Sequence, residues 1–168
     1  MKLPNISETI GVSAVILSLI FVGIQIRENN RATMSAMASA SIDQTTTWYV
    51  ELGNNSESSA ILYNYFANPN SLTAEQRFQA TINLHGLFLV FQNSYYLVQE
   101  GTLEQSILHS LTEAIVGIKK QPGFILFWKQ RRSIFLDDFQ DYVDSVVATD
   151  REASVGLFSG SSQSDEPQ

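Results

Sequence analysis

The side chains able to do chemistry in this 168-residue chain are a row of carboxylates, two histidines and a short run of cations. Asp137, Asp138, Asp141 and Asp144 crowd one segment, and Asp137, Asp141 and Asp144 share a helical face at offsets 0, 4 and 7. Such a row attracts divalent cations, but a hard cation needs oxygen ligands converging from several elements. One row on one helix therefore reads as a solvated acidic face. His85 sits in a strongly apolar stretch, where an imidazole either ligates a haem-like group or is hydrogen-bonded as structure; nothing else marks a cofactor site. His109 and Glu113 make an i, i+4 surface pair. The sequence holds no Glu-x-x-His pair, no His-Glu-x-x-His, no glycine-rich phosphate loop and no Gly-x-Ser-x-Gly elbow. With no cysteine at all, thiolate metal sites, disulfides and thiol nucleophiles are excluded. We expect a chain without catalytic residues, metal ligands or a cofactor.

The cations are more suggestive. Lys119, Lys120, Lys129, Arg131 and Arg132 are five of the ten Lys and Arg, gathered within fourteen positions and interleaved with Phe and Trp. At ~100° per residue, Arg131 falls in the middle of the face that carries Phe124, Phe127, Trp128, Phe135 and Tyr142. Three arrangements satisfy its charge. Its stem packs on the aromatics with the head in water, or it is buried against Glu51, Glu100, Glu104 or Glu113, or that face is not core. In the last case Lys129, Arg131 and Arg132 would rest on anionic headgroups or an acidic partner. Overall the formal charge is −7, which argues against nucleic acid as a partner, because phosphate contacts need a basic surface.

The elements that must position these groups begin with Thr9–Ile26, eighteen residues without a charge between Glu8 and Arg27. As a helix this run is ~27 Å long, close to the ~30 Å hydrocarbon layer of a bilayer. A membrane anchor over 1–30 with its span at 9–26 is expected, with Asn5 and Glu8 as a capping box. A cleaved signal peptide is the rival, with small-x-small sites at Ala36-Met37-Ala38 and Ala38-Ser39-Ala40. The apolar run is longer than an h-region, and two arginines lie between it and those sites. Gly11, Ala14, Ser18 and Gln25 share one narrow face of the span, where small residues admit another helix. Lys2 before the span and Arg27 and Arg31 after it tilt the positive-inside balance towards a cytoplasmic domain.

Residues 31–149 are expected to form a helical bundle and 150–168 a disordered, Ser- and Gly-rich tail. Met34, Met37, Ala38, Ser41, Ile42, Thr45, Trp48, Tyr49 and Leu52 continue the first helix as a helical-period stripe that stops at Gly53. After the loop 54–56 comes a short helix, 59–67, burying Ile61, Leu62, Tyr65 and Phe66. Thr73 with Gln76 caps a long helix that ends at Gly101. Its middle is apolar on nearly every side, as a central bundle helix is; a second span is the rival, weakened by Gln79, Asn83, His85, Gln92 and Asn93. Thr102 with Gln105 predicts another capping box and Pro122 another helix start, after which one aromatic face runs to about Ala148.

Several of these landmarks occur together in a known pattern. The span leading into Gln25-Ile26-Arg27-Glu28-Asn29 and then Arg31-Ala32 resembles the opening of a family of uncharacterised, membrane-anchored bacterial proteins. Leu72-Thr73 with Glu75, Tyr95-Tyr96 with Gly101, and Pro122-Gly123-Phe124 with Phe127-Trp128 are similar to its later landmarks. The resemblance implies a bacterial, single-span, all-helical protein of the inner membrane, and implies no activity. The chain is thus expected to be all-α, with a transmembrane helix continuous with an antiparallel bundle of about four or five helices. Its partners are the lipid bilayer and another membrane protein, or a second copy met through the span. A non-catalytic accessory or scaffolding subunit is the expected role, and a ligand-binding or sensory module with an aromatic-lined pocket is the alternative.

Overall fold

A computed structural model describes residues 6–152. Every regular element among them is helical: α1 (Ile6–Asn54), α2 (Ser56–Ala67), α3 (Ala74–Gln99), α4 (Gln105–Ile118), α5 (Pro122–Arg131) and α6 (Asp137–Ala148), with short 3-10 turns at Pro69–Ser71 and Arg132–Ile134. The expected Asn5–Glu8 box lies outside the described residues.

With 49 residues, α1 is ~73 Å long at ~1.5 Å per residue. It is unbroken past Arg27 and Arg31, and only its last third meets the bundle. The seam there is Ala38, Ser41, Thr45, Trp48 and Leu52, narrower than the predicted stripe; Met34, Met37, Ile42 and Tyr49 stay exposed. Two polar contacts settle the docking. The buried Ser41 and Ser94 hydroxyls meet at 2.5 Å, and Trp48 Nε1 donates to the Asn83 carbonyl at 3.2 Å. Ser41 and Thr45, which weakened the stripe as an apolar pattern, are thus contact residues.

Capping chemistry accounts for most of the boundaries. Asn55 alone links α1 to α2, its side chain accepting from Ser58 N, so α2 begins three residues earlier than the sequence predicts. Thr73 and Gln76 form the expected reciprocal box. Gly101 ends the turn after α3 at φ +69°, a conformation open to glycine at little cost. Thr102 is a correction. Its N–H and that of Leu103 both donate to the Leu97 carbonyl, so this stretch closes α3, and α4 starts at Gln105 behind Glu104 without a side-chain cap.

The predicted continuous aromatic helix from Pro122 to Ala148 is also corrected, since the chain breaks between Arg131 and Asp137. Gln92 on α3 accepts from the Leu136 N–H at 2.8 Å, and Phe135 turns inward to stack on Trp128 at 5.6 Å. Asp137 and Asp138 then fall in the first turn of α6, where the helix dipole favours carboxylates. The break lets both halves bury their rings around one residue. Phe88, fully buried on α3, has Phe91, Phe124, Phe127, Trp128, Phe135 and Phe139 at centroid distances of 5.1–6.5 Å.

Although α3 packs into the bundle through Ala80, Leu84, Leu87, Phe88, Phe91 and Ser94, it is not wrapped on every side. Phe78, Ile82, Leu89 and Tyr96, at offsets 0, 4, 11 and 18, are 43–70% exposed and form an open apolar stripe. Lys119 closes the far end. It is 5% exposed, and its Nζ donates to the Val146 carbonyl at 3.3 Å, the Thr149 Oγ1 at 3.0 Å and the Thr149 carbonyl, satisfying the C-terminus of α6.

Candidate functional site

Two features stand apart from ordinary bundle structure: the exposed apolar part of α1 and a cavity at its other end. Among the described residues one helix, α1, is long and apolar enough to cross a membrane, and none of its apolar window is buried in the protein. Ile10, Leu17, Leu19 and Phe21 are each 60% exposed or more. In water that much apolar surface on one helix costs free energy at about 25 cal/mol per Å². Gly11, Ala14, Ser18 and Gln25 all face outward. Ser18 returns its hydroxyl to the Ala14 carbonyl at 2.8 Å, which satisfies it without water, and a Cβ added at Gly11 would meet nothing within 4 Å. The face is exposed and uncovered by the other described residues.

The cavity lies where α1, α2, α3 and α4 meet. It has a volume of about 330 Å³ and is lined by Trp48, Tyr49, Leu52, Leu62, Phe66, Leu84, Leu87 and Phe91, with Ala114, Gly117 and Ile118 from α4. Among the described residues, Glu113 and Ser59 bring the only side-chain polar groups there apart from the Trp48 indole and the Tyr49 hydroxyl. Glu113 is held at the rim by Arg151, and His109 lies 4.0 Å from it. Ser59 donates to the Leu52 carbonyl at 2.5 Å. Partial desolvation of Tyr49, which stays half-exposed, pushes its phenol above the usual range, so this ring presents a neutral hydroxyl. The lining suits an apolar occupant. No sequence pattern announced the cavity, because its walls come from four helices that each look ordinary alone.

The basic and aromatic run does not form one patch. Lys119 is buried on α6, Lys120 pairs with Glu152, and Arg132 is bound to the acidic row. Lys129 is exposed on α5. Arg131 is half-buried with its Nε lacking a hydrogen-bond partner, and among the described residues it forms no ion pair with Glu51, Glu100, Glu104 or Glu113. Its neighbour is His85, whose ring lies 5.1 Å from Phe135 and whose Nδ1 is also unpartnered. Burial, and then the Arg131 charge, hold His85 below the usual imidazole range, so it is neutral at pH 7.

The acidic row is an anchor for α5 more than a free face. Asp144 accepts from Trp128 Nε1 at 2.7 Å and from Arg132 Nε at 2.8 Å, and Arg132 also reaches Asp141 at 3.5 Å. Among the described residues no group of three or more ligating side chains is placed to hold a metal ion. The Arg132 guanidinium, with the Trp128 indole, keeps the Asp144 carboxyl below the usual carboxylate range. Because the folded carboxyl titrates below the unfolded one, its contribution is complete above about pH 4 and fades as pH falls through the lower folded value. Asp144→Asn is expected to cost about 1–2 kcal/mol, the lower part of the range for charged hydrogen bonds because the pair is partly exposed. The loss should be seen at pH 7 in thermal melts and shrink towards pH 3. An equal loss at both pH values would mean that the charge contributes nothing.

Comparison of the chain with protein-family models, with curated proteins and with solved structures returns no match.

Proposed function

We propose that this protein is a single-pass, membrane-anchored accessory or scaffolding subunit of a membrane protein assembly, and that it does no catalysis. The observation that carries the reading is the outward-facing apolar length of α1, on which no other part of the described chain packs. A bilayer is the solvent that removes that cost, and the smooth face of Gly11, Ala14, Ser18 and Gln25 suits close approach of a second helix. The open stripe of Phe78, Ile82, Leu89 and Tyr96 on α3 gives the domain an apolar surface of the kind that proteins cover with a partner. We place the protein in a bacterial inner membrane with its domain on the cytoplasmic side, on the resemblance and on the balance of Lys2 against Arg27 and Arg31. Nucleic acid is not among the partners we propose, given the charge of −7.

A second reading rests on the cavity beside Trp48, whose aromatic lining fits a ligand-binding or sensory module. Membrane extraction followed by purification tests both. Alkaline carbonate should leave the full-length chain in the membrane pellet, and purification in mild detergent should bring a stoichiometric membrane protein with it. A soluble chain starting near Ser39 overturns the anchor. A lone chain carrying a pigment or lipid overturns the subunit reading in favour of the ligand module.

A further inference from the structure

The open face of α3 carries the residues of a coiled-coil seam. Phe78, Ile82, His85, Leu89, Gln92 and Tyr96 follow in alternating steps of four and three, along ~27 Å at ~1.5 Å per residue. Any face of a helix has that spacing; what marks this one is its occupants. Its Phe, Ile, Leu and Tyr are 43–70% exposed, and Leu136, 50% exposed, adjoins it through the bond of its N–H to Gln92. The rest of the bundle lies on the opposite side. Ser94 and Asn83, which hold α1, stand about 140–160° round α3 from Phe78.

A face that meets its own copy cannot carry charges of one sign, because each residue then confronts its like. From Phe78 to Gln99 the chain has no Asp, Glu, Lys or Arg, although this side of α3 faces solvent. Gln79, Gly86 and Asn93, which flank the seam, are exposed and neutral. Charges at such flanks select a foreign partner. Here nothing repels an identical helix and nothing selects a different one. Arg131 belongs to α5 and stands at the edge, beside His85.

The anchor sets the direction. Ser41 with Ser94 and Trp48 with Asn83 make α3 run opposite to α1. Two copies inserted the same way in one bilayer therefore present α3 helices that point the same way. A two-fold axis along the membrane normal brings them together in parallel, each seam residue against its own counterpart. Gln25 lies about 160° round α1 from Ser41, so this pairing leaves the outward face of the span to another membrane protein.

We propose that two copies of this chain pair through the open face of α3, in a parallel seam from Tyr96 near the membrane to Phe78 at the far end. The pairing rests on α1 being the membrane anchor, which supplies the direction. Six residues a copy make a small interface beside the ~1,200–2,000 Å² of complexes stable in free solution. Confinement of both anchors to one bilayer raises their effective concentration and offsets the difference.

The natural chain has no cysteine, so one introduced thiol can link only to a second copy or to another protein. A disulfide needs Cα atoms within about 7 Å, which a residue meets against its own copy only near the two-fold axis. The full chain in carbonate-washed membranes would carry Leu89→Cys or Tyr96→Cys on the seam, or Ser110→Cys on the exposed side of α4. Oxidation should link both seam variants into dimers about tenfold faster than Ser110→Cys, the gain of a docked pair over chance collision. Adding Ile82→Glu to Leu89→Cys should erase that gain, since the two carboxylates would face each other, and should leave the melting temperature of this half-exposed position unchanged. Equal rates at Leu89 and Ser110 overturn the proposal, as does a gain that survives Ile82→Glu. Linkage at Leu89 without linkage at Tyr96 overturns the parallel seam in favour of an antiparallel one. A disulfide to a different protein as the main product overturns it in favour of a foreign partner. A chain that stays in the pellet without the seam preference removes the pairing and leaves the anchor standing, whereas a chain released by carbonate removes the anchor and the direction with it.

Discussion

Gly123→Ala should be the most damaging single-methyl change in the bundle. Gly123 is buried in the first turn of α5, directly against the backbone of α2. A Cβ built there would sit on the Tyr65 carbonyl, 2.6 Å from its carbon and 2.8 Å from Phe66 Cα. The obstacle is main chain, which has no rotamer to change, so the two helices must separate and the rings packed behind them with them. Overpacking of this kind costs about 3 kcal/mol or more, a shift of roughly 10 °C in the melting temperature of a domain of this size. Thermal melts followed by circular dichroism, with Gly86→Ala as the comparison, check it. Nothing lies within 4 Å of a Cβ at Gly86, a helix interior where alanine is favoured, so that variant should melt at or above the parent temperature. If the two alanines behave alike, α5 does not approach α2 this closely.

Phe88→Ala is expected to cost about 3–5 kcal/mol, a large share of the ~5–15 kcal/mol that holds a typical domain folded. Its ring touches both halves of the broken aromatic segment, with Phe127 at 5.1 Å before the break and Phe139 at 6.5 Å after it. Collapse around the missing ring is limited because those neighbours arrive from three helices and a turn, whose backbones are fixed by other contacts. Phe78→Ala on the same helix removes the same atoms from a position 70% exposed and should change stability by less than about 0.5 kcal/mol. Denaturant unfolding of the two variants side by side measures the difference. Equal midpoints would mean that Phe88 is not the centre of the core.

The contrast between Phe78 and Phe88 also marks how far periodicity reads a fold. By sequence α3 is apolar nearly all round, and nothing in its own residues distinguishes a face covered by α5 and α6 from the face left open. Coverage is decided by what other segments bring, and the decisive contacts join residues far apart in sequence, such as Gln92 with Leu136 and Ser41 with Ser94. The same holds for the basic run. Lys119 and Lys120 are neighbours of one type, yet one is buried as the cap of α6 and the other is a surface ion pair, because α6 packs against one side of α4 only.

What the sequence determined by itself is local. Thr73 and Gln76 satisfy each other's backbone across three residues, Gly101 supplies the positive φ that ends α3, and an uncharged run of eighteen residues specifies a helix with an apolar surface on every side. Each follows from forces acting within a turn or two of helix. The all-helical class follows from them, since periodicity and caps agree along the chain. What only the tertiary structure decided is relational: the break at residues 132–136, the binding of Arg132 to Asp144, the placing of the Arg131 charge near His85, and the cavity. A cavity is the space left between helices, and its shape depends on the crossing of four backbones, so no residue's own type or spacing encodes it.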